Sequence, residues 1–284
     1  ASNYSLNSTI IDIVPRDITF SGTRVYDGTT TVNSADLTTI NNLANSETLS
    51  LSGSGTVVSQ NVGNNKSITN GSLALVDGTG LASNYNLTTG TYDITKRWIT
   101  ITGTKTYDAT LSVDNSDLSM SNIVSGETLS LSGVAQLSSA LVGSGKSLSQ
   151  STLSLSDGSG LASNYTFGSL SVNVTKRTVT LQGSKAYDGL TTVSGSNIST
   201  ISNLAGGENL SIVGEGSILS AEVGNSKTIS LGTLSLADGT GGSAGLATNY
   251  SISSGTVDVT SRQITLSGTR IYNGSTTVQS SELS

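Results

Sequence analysis

The sequence predicts an all-β protein, built as a tandem array of modules of roughly 80 residues each. Apolar residues alternate with Ser, Thr or Asn, as in residues 170–174 (LSVNV) and 178–181 (TVTL), which is typical of half-buried strands. Turn signals such as residues 27–28 (DG) and 77–80 (DGTG) punctuate these short segments. We therefore expect β-sandwich-like modules, immunoglobulin-like in outline, that form an elongated rod.

The modules are defined by two recurring tyrosines. A Tyr-Asp-Gly triplet begins at Tyr26 and returns, with small changes, at Tyr107, Tyr187 and Tyr272. An Asn-Tyr pair lies at a constant distance before the next triplet, at Tyr4, Tyr85, Tyr165 and Tyr250. This repeat predicts three complete modules, at residues 16–96, 97–176 and 177–261. Residues 1–15 are then expected to be the tail of a preceding module and residues 262–284 the head of a following one.

Composition excludes several classes of function. The chain has no Cys and no His, so it has no thiol nucleophile, zinc-thiolate site, disulfide or Ser-His-Asp triad. Only 13 Lys and Arg accompany a net charge of −6, which argues against binding to a nucleic-acid backbone. No apolar run is long enough to span a membrane as a helix. We expect no enzymatic activity and no cofactor.

The alternation of apolar residues changes phase at each module boundary. Val172 and Val174 occupy even positions before the boundary, whereas Val179 and Leu181 occupy odd positions after it. A shift of one residue sends side chains to the opposite face of a strand, so a bulge or kink is expected at each Lys-Arg pair. With no Gly- or Pro-rich spacer, neighbouring modules are expected to be stiffly connected.

An ordered set of residues carries a resemblance to a known family. It includes a basic residue two positions before the marker Tyr, a Val-Gly pair at residues 62–63, a Lys at Lys66 and the closing Asn-Tyr. Together with the triplet, this set resembles the YDG-type repeats of large bacterial surface proteins, including exported adhesins of the filamentous-haemagglutinin type. The resemblance implies an extracellular stalk or fibre at the cell surface and supplies no catalytic residues.

The aromatic residues are the main structural candidates. We expect the repeating tyrosines to pack within the modules with their hydroxyl groups on polar partners, because a buried Tyr hydroxyl usually finds one. These are Tyr26, Tyr85, Tyr107, Tyr165, Tyr187 and Tyr250. The single Trp, Trp98, lies at a boundary and is expected to pack between modules.

Acidic and basic residues suggest two weaker sites. Asp27, Asp108 and Asp188 could bind Ca²⁺, although an Asp in this triplet more often stabilises a tight turn through its own backbone. A recurring Lys, such as Lys66, could form an isopeptide bond beside the recurring Glu, such as Glu47. Its Gly-Asn-Asn-Lys setting instead favours an exposed hairpin tip. The other members of these two series are Lys146, Lys227, Glu127 and Glu208.

The sequence leaves three functional hypotheses. The first is a non-catalytic stalk or fibre segment of a secreted bacterial surface protein, acting in adhesion, biofilm matrix or filament formation. The second is a carbohydrate- or matrix-binding module, which would need exposed tyrosines or an exposed Trp98. The third is lateral association of chains into a filament through edge strands.

Overall fold

A computed structural model describes residues 4–5 and 8–284 of the chain. Residues 1–3 and 6–7, which belong to the predicted tail of a preceding module, lie outside the described residues. The described chain divides into two compact units. Of the described residues, the first unit contains 4–5, 8–103, 113–136 and 147–171, and the second contains 104–112, 137–146 and 172–284.

The described residues form strands and short 3-10 turns but no α-helix, so the all-β prediction is confirmed. Module 1 contains β1 (Arg16–Val25), β2 (Thr31–Asn33), β3 (Thr39–Asn41), β4 (Leu49–Ser52), β5 (Ser54–Val57), β6 (Gly63–Thr69), β7 (Ala74–Asp77) and β8 (Tyr85–Thr95). Module 2 contains β9 (Arg97–Thr106), β10 (Ser112–Asp114), β11 (Leu118–Ser121), β12 (Leu129–Ser132), β13 (Val134–Leu137), β14 (Gly143–Ser149), β15 (Ser154–Asp157) and β16 (Tyr165–Thr175). Module 3 contains β17 (Arg177–Ala186), β18 (Thr192–Ser194), β19 (Ile198–Ser202), β20 (Ser211–Val213), β21 (Glu215–Ile218), β22 (Gly224–Ser230), β23 (Ser235–Ala237) and β24 (Tyr250–Thr260).

In the first unit, module 1 forms one six-stranded sheet and one two-stranded sheet. The six strands lie in the order β2-β5-β6-β8-β1-β3, and β4 pairs with β7. All these pairs are antiparallel except β1 with β8, which run parallel. The first and last strands of the module are therefore neighbours, an arrangement that requires the rest of the module as their connection.

Alternation along the strands builds the core of the first unit. Ile18 and Phe20 of β1 and Tyr92 and Ile94 of β8 are buried, while their Ser and Thr neighbours are largely exposed. The same unit contains parts of module 2, in which β9 pairs with β11 and β12 pairs with β15, both antiparallel. Burial of alternate apolar side chains on one face of each strand supplies the main stabilising term.

The second unit repeats this topology in module 3. Its six-stranded sheet has the order β18-β21-β22-β24-β17-β19, with β17 and β24 parallel, and β20 pairs with β23. A cluster that includes Val193, Ile229, Val257 and Val259 fills its core. The equivalence of the sheets of modules 1 and 3, strand by strand, confirms that the repeat read from the sequence is a structural repeat.

A single residue separates the strands at each module boundary. Lys96 lies between β8 and β9, and Lys176 lies between β16 and β17. Tyr92 and Ile94 are buried before the first boundary and Ile99 after it, so the buried positions change from even to odd. The predicted interruption of the strand is found at this point, without a flexible spacer.

The ends of the described chain carry no strands. Residues 8–15 and 261–284 contain only one short 3-10 turn, Ser280–Glu282. Within the described part of the chain, no helix is long and apolar enough to cross a membrane.

Candidate functional site: the polar joint between modules

The Tyr-Asp-Gly triplet forms a tight turn immediately after the first strand of a module. In module 1, Asp27 accepts hydrogen bonds through Oδ1 from the backbone N–H of Thr29 at 2.9 Å and from its hydroxyl at 3.0 Å. Gly28 has φ +77°, a left-handed conformation that glycine adopts without strain. The predicted role of this Asp in stabilising a turn through the backbone is therefore confirmed.

A basic residue completes the turn. Arg24 Nη2 lies 3.2 Å from Asp27 Oδ1, and Lys105 Nζ lies 2.9 Å from Asp108 Oδ1. Lys185 and Asp188 repeat the second pair at 2.9 Å. Each Asp proposed as a Ca²⁺ ligand thus has a cationic side chain as its partner. Within the part of the chain that the structure describes, no group of three or more acidic residues is arranged to hold a metal ion.

Lys105 is almost completely buried, with 5% of its surface exposed. Its ammonium group donates to the Thr110 hydroxyl at 2.8 Å and to the carbonyl oxygen of Ser112, in addition to its pair with Asp108. Burial opposes ionisation of Asp108, but the hydrogen bonds from Lys105 and Thr110 prevail and lower the pKa of its carboxyl group. A buried charge is tolerated here because carbonyl oxygens and a carboxylate surround it.

One carboxylate joins module 1 to module 2. The hydroxyl of Tyr26, in the turn after the first strand of module 1, donates to Oε1 of Glu127 in module 2. The hydroxyl of Tyr165, also in module 2, donates to Oε2 of the same Glu127 at 2.5 Å. The two rings meet edge to face, with centroids 5.5 Å apart and an interplanar angle of 80°. Both rings are buried, so the phenols and the carboxylate satisfy one another inside the joint.

The same joint recurs between modules 2 and 3. Tyr107 donates to Oε1 of Glu208 at 2.6 Å, and Tyr250 donates to Oε2 at 2.5 Å. Their ring centroids are 5.4 Å apart, again with an angle of 80°. We call each such set, a Tyr of one module with a Glu and a Tyr of the next, a Tyr–Glu–Tyr joint.

The Asn of the Asn-Tyr pair adds a second contact to each joint. Asn164 Oδ1 of module 2 accepts from the backbone N–H of Val62 in module 1 at 2.9 Å, and its amide donates to Asn61 at 3.0 Å. At the next joint, Asn249 Oδ1 accepts from the backbone N–H of Val142 at 3.1 Å. The Asn249 amide nitrogen is buried without a hydrogen-bond partner, because Leu141 stands where Asn61 stands in module 1.

The Arg that follows the boundary Lys provides a third contact. Arg97 of module 2 donates to the carbonyl oxygen of Tyr26 at 3.3 Å. It also forms two hydrogen bonds of 2.7 Å with Asn122, one to the backbone and one to the side chain. Arg177 makes the corresponding contacts with Tyr107 and Asn203. A rigid guanidinium thus connects the start of one module to the turn after the first strand of the preceding one.

The environment of the joints shifts the ionisation of the phenols. The pKa of Tyr165 is raised to about 12, and so is the pKa of Tyr250. Burial is the largest cause in both cases. The hydrogen bond to the neighbouring carboxylate, Glu127 or Glu208, raises the pKa further. The pKa values of Tyr26 and Tyr107 are raised by the same two causes. The joints therefore hold their tyrosines in the neutral form that donates a hydrogen bond.

Other members of the tyrosine series have different surroundings. Tyr85 is buried and donates to Glu47 at 2.5 Å within module 1. Tyr187 is 37% exposed. The expectation of a tyrosine with a polar partner holds for five of the six named residues, all except Tyr187.

The recurring Lys and Glu are occupied by separate partners. Lys146 Nζ donates to the backbone carbonyl of Ser139 at 2.7 Å, and Lys227 Nζ to that of Ser220 at 3.3 Å. Glu47 and Glu208 accept from tyrosines. The Lys side chains of β14 and β22 thus bind backbone carbonyls and the Glu side chains bind tyrosines, so these contacts do not pair the two series for an isopeptide bond.

The expectation for Trp98 was wrong. Its side chain is 70% exposed rather than packed between modules. It borders a surface groove beside Val25, Lys96 and Asn122. The exposure follows from its place in β9, where Ile99 and Ile101 take the buried face and Trp98 takes the opposite one.

These features define a modular all-β protein whose consecutive modules share a carboxylate. A comparison with protein families finds the YDG domain three times, at residues 14–92, 95–173 and 171–259. The matches cover well over half of the chain, which therefore belongs to the YDG domain family. Neither the curated proteins nor the solved structures contain a significant match.

Proposed function

We propose that this chain is a non-catalytic structural segment of the stalk or fibre of a secreted bacterial surface protein. Its place is outside the cell, in adhesion, biofilm matrix or an extracellular filament. The observation that carries the proposal is the Tyr–Glu–Tyr joint, which occurs at both boundaries between complete modules. A joint of this kind serves to fix one module on the next.

The chemistry of the joint favours a mechanical role over a catalytic one. Both oxygens of Glu127, a half-buried carboxylate at the edge of a surface groove, already accept hydrogen bonds from buried phenols. Glu208 has the same two partners in the second joint. Catalytic acids and bases act on the group that reacts, whereas each oxygen of these carboxylates already accepts a structural hydrogen bond from a tyrosine.

Rigidity follows from the number of contacts and the lack of a spacer. Each boundary combines the shared carboxylate, the Asn contact, the Arg contact and an edge-to-face pair of rings. With one residue between strands, the chain has little freedom to bend there. In this proposal, each module is a β-sandwich and the array extends as a rod, the form that a stalk needs to project an adhesive tip.

The rival function, binding of carbohydrate or matrix, depends on exposed aromatic side chains. The tyrosines of both joints are buried, which leaves them no face for a sugar ring. Trp98 is the exception, but the equivalent positions in modules 1 and 3 are Asp17 and Thr178. A binding function repeated along the array would need the aromatic residue in each module, so we favour the stalk.

The third hypothesis is lateral association of chains, and the short edge strands of the sheet argue against it. The edges of the module 1 sheet are β2 and β3, each of three residues. Short edges offer few unpaired backbone groups to another chain. We propose that the neighbouring modules of the same chain are the main partners.

Small-angle X-ray scattering of the 284-residue chain tests the stalk. We expect the distance distribution of an elongated particle, with a cross-section of one module and a length that spans all three. A compact globular profile would contradict the proposal, and so would the broad profile of modules that move independently.

A further inference from the structure

The third residue of the Tyr-Asp-Gly turn lies against the next module. A Cβ added to Gly28 would lie 2.9 Å from Cγ1 of Val124, three residues before the bridging Glu127. Val124 is packed against the core, and its branched side chain has little rotational freedom. Module 2 therefore has no room for a side chain on the turn of module 1.

At the second joint, the turn residue is larger and the receiving segment is smaller than at the first. The turn of module 2 carries Ala109 in place of Gly, with a positive φ of 66°. Module 3 presents Ala205 and Gly206 where module 2 has Val124 and Ser125. A Cβ on Gly206 would lie 3.2 Å from the Cβ of Ala109, so the methyl group of Ala109 packs against this segment. The larger turn residue is matched by a smaller receiving segment.

We propose that each joint selects its neighbour by this match of volumes. The receiving surface of module 2, with Val124, fits only a YDG module whose turn carries Gly. The surface of module 3, with Ala205 and Gly206, also accepts a turn that carries Ala. The change from Gly28 to Ala109 is thus a specificity determinant that restricts the order in which modules can follow one another. This inference rests on the proposed function, because it requires consecutive modules to be joined in this way.

The rate of amide hydrogen exchange can show separately whether each joint is formed. The Val62 N–H is bonded across the first joint to Asn164, and the Val142 N–H across the second joint to Asn249. In the wild-type chain, both amides should be protected. Gly28→Ala should speed the exchange of Val62 at least tenfold and leave Val142 unchanged, and adding Val124→Ala should restore the protection of Val62.

Gly189→Ala is the matched control. Gly189 has the same φ of +77°, but a Cβ there would meet nothing within 4 Å. Its backbone strain equals that of Gly28→Ala, and no module is crowded, so neither amide should change. Equal exchange of Val62 in the two single variants, or failure of Val124→Ala to restore protection, would overturn the inference.

The second joint provides an independent arm. Ala205→Val should speed the exchange of Val142, and Ala109→Gly in the same chain should reverse the effect. No reversal would contradict volume matching even if Gly28→Ala disturbs folding. If the amides of Val62 and Val142 are unprotected in the wild-type chain, the joints do not form in solution, and this result would contradict the proposed stalk as well. If both amides are protected and their exchange rates do not change in any of these variants, only the inference that each joint selects its neighbour would be contradicted.

Discussion

At the scale of single residues, the joint depends on which groups can donate and which can accept. A carboxylate has two oxygens that accept hydrogen bonds, and a neutral phenol has one proton to donate. Glu127 therefore serves two tyrosines at once, one from each module. Tyr165 also accepts from the backbone N–H of Val124, so its hydroxyl is used in both directions.

This arrangement predicts a loss of stability in alkaline solution. The pKa of Tyr165, raised from 10.0 to about 12, means that the folded state favours the neutral phenol more than the unfolded state does. The resulting stabilisation is complete below pH 10 and is lost as the pH rises towards 12. Urea unfolding between pH 8 and 12 should show this decline. The Tyr165→Phe, Tyr250→Phe variant is the control, and an equally steep decline in that variant would contradict the explanation.

Residue types alone could not have identified the joint. Tyr26 and Glu127 are 101 residues apart, and the repeat places a Glu and a Lys in every module without showing which neighbour each one contacts. The sequence pairs Glu47 with Lys66 as readily as with Tyr85. Only the fold brings the turn after the first strand of one module to the middle of the next.

At the scale of elements, the turn after the first strand is held together by a buried cation. The basic residue two positions before the marker Tyr was visible in the sequence. A Lys is ordinarily exposed, but Lys105 lies on the same face of β9 as the buried Ile99 and Ile101, so the alternation of the strand already places it inward. The sequence does not show which groups its ammonium group meets, namely the carbonyl oxygen of Ser112 and the carboxylate of Asp108. The turn itself was predictable, because Asp-Gly is a strong local signal.

Replacing Lys105 with Met should therefore destabilise module 2. The Met side chain retains the buried stem but removes the side-chain donor to the Ser112 carbonyl and the cationic partner of the Asp108 carboxylate. We expect a loss of about 1–3 kcal/mol in the free energy of unfolding, measured by chemical denaturation. Lys96→Met is the matched control at an exposed position and should change stability by less than about 0.5 kcal/mol. Equal effects of the two substitutions would show that the buried ammonium group is not important to the turn.

The strand pattern was the most predictable part of the fold, and its phase change was informative. Burial of Tyr92 and Ile94 before the boundary and of Ile99 after it follows directly from the alternation in the sequence. The exposure of Trp98 follows from the same alternation, since it neighbours Ile99. The position of Trp98 in the strand thus outweighs the general tendency of a large aromatic side chain to be buried.

At the scale of the whole molecule, the joints should couple the unfolding of neighbouring modules. Repeat proteins gain cooperativity from the interfaces between repeats. Glu127→Ala leaves the buried hydroxyls of Tyr26 and Tyr165 without their acceptor, so module 1 should unfold separately from module 2. Differential scanning calorimetry should resolve an additional transition in this variant.

Glu47→Ala provides the comparison for that experiment. Glu47 occupies the same position in module 1 and accepts from Tyr85 of its own module. Its loss should lower the melting temperature of module 1 without separating the transitions of modules 1 and 2. A calorimetric profile of Glu127→Ala that matches the profile of Glu47→Ala would show that the shared carboxylate does not couple the modules.

The parallel pairing of β1 with β8 determines how a module would carry a load. Arg16, where the chain enters module 1, lies beside Tyr85, and Val25 lies beside Thr95, where the chain leaves it. Tension on the two ends of the module therefore pulls these neighbouring strands lengthwise past each other. All the hydrogen bonds between them share the force at once, whereas strands peeled apart from one end would break their bonds one at a time. The order of strands within each module thus favours resistance to stretching along the direction of the chain.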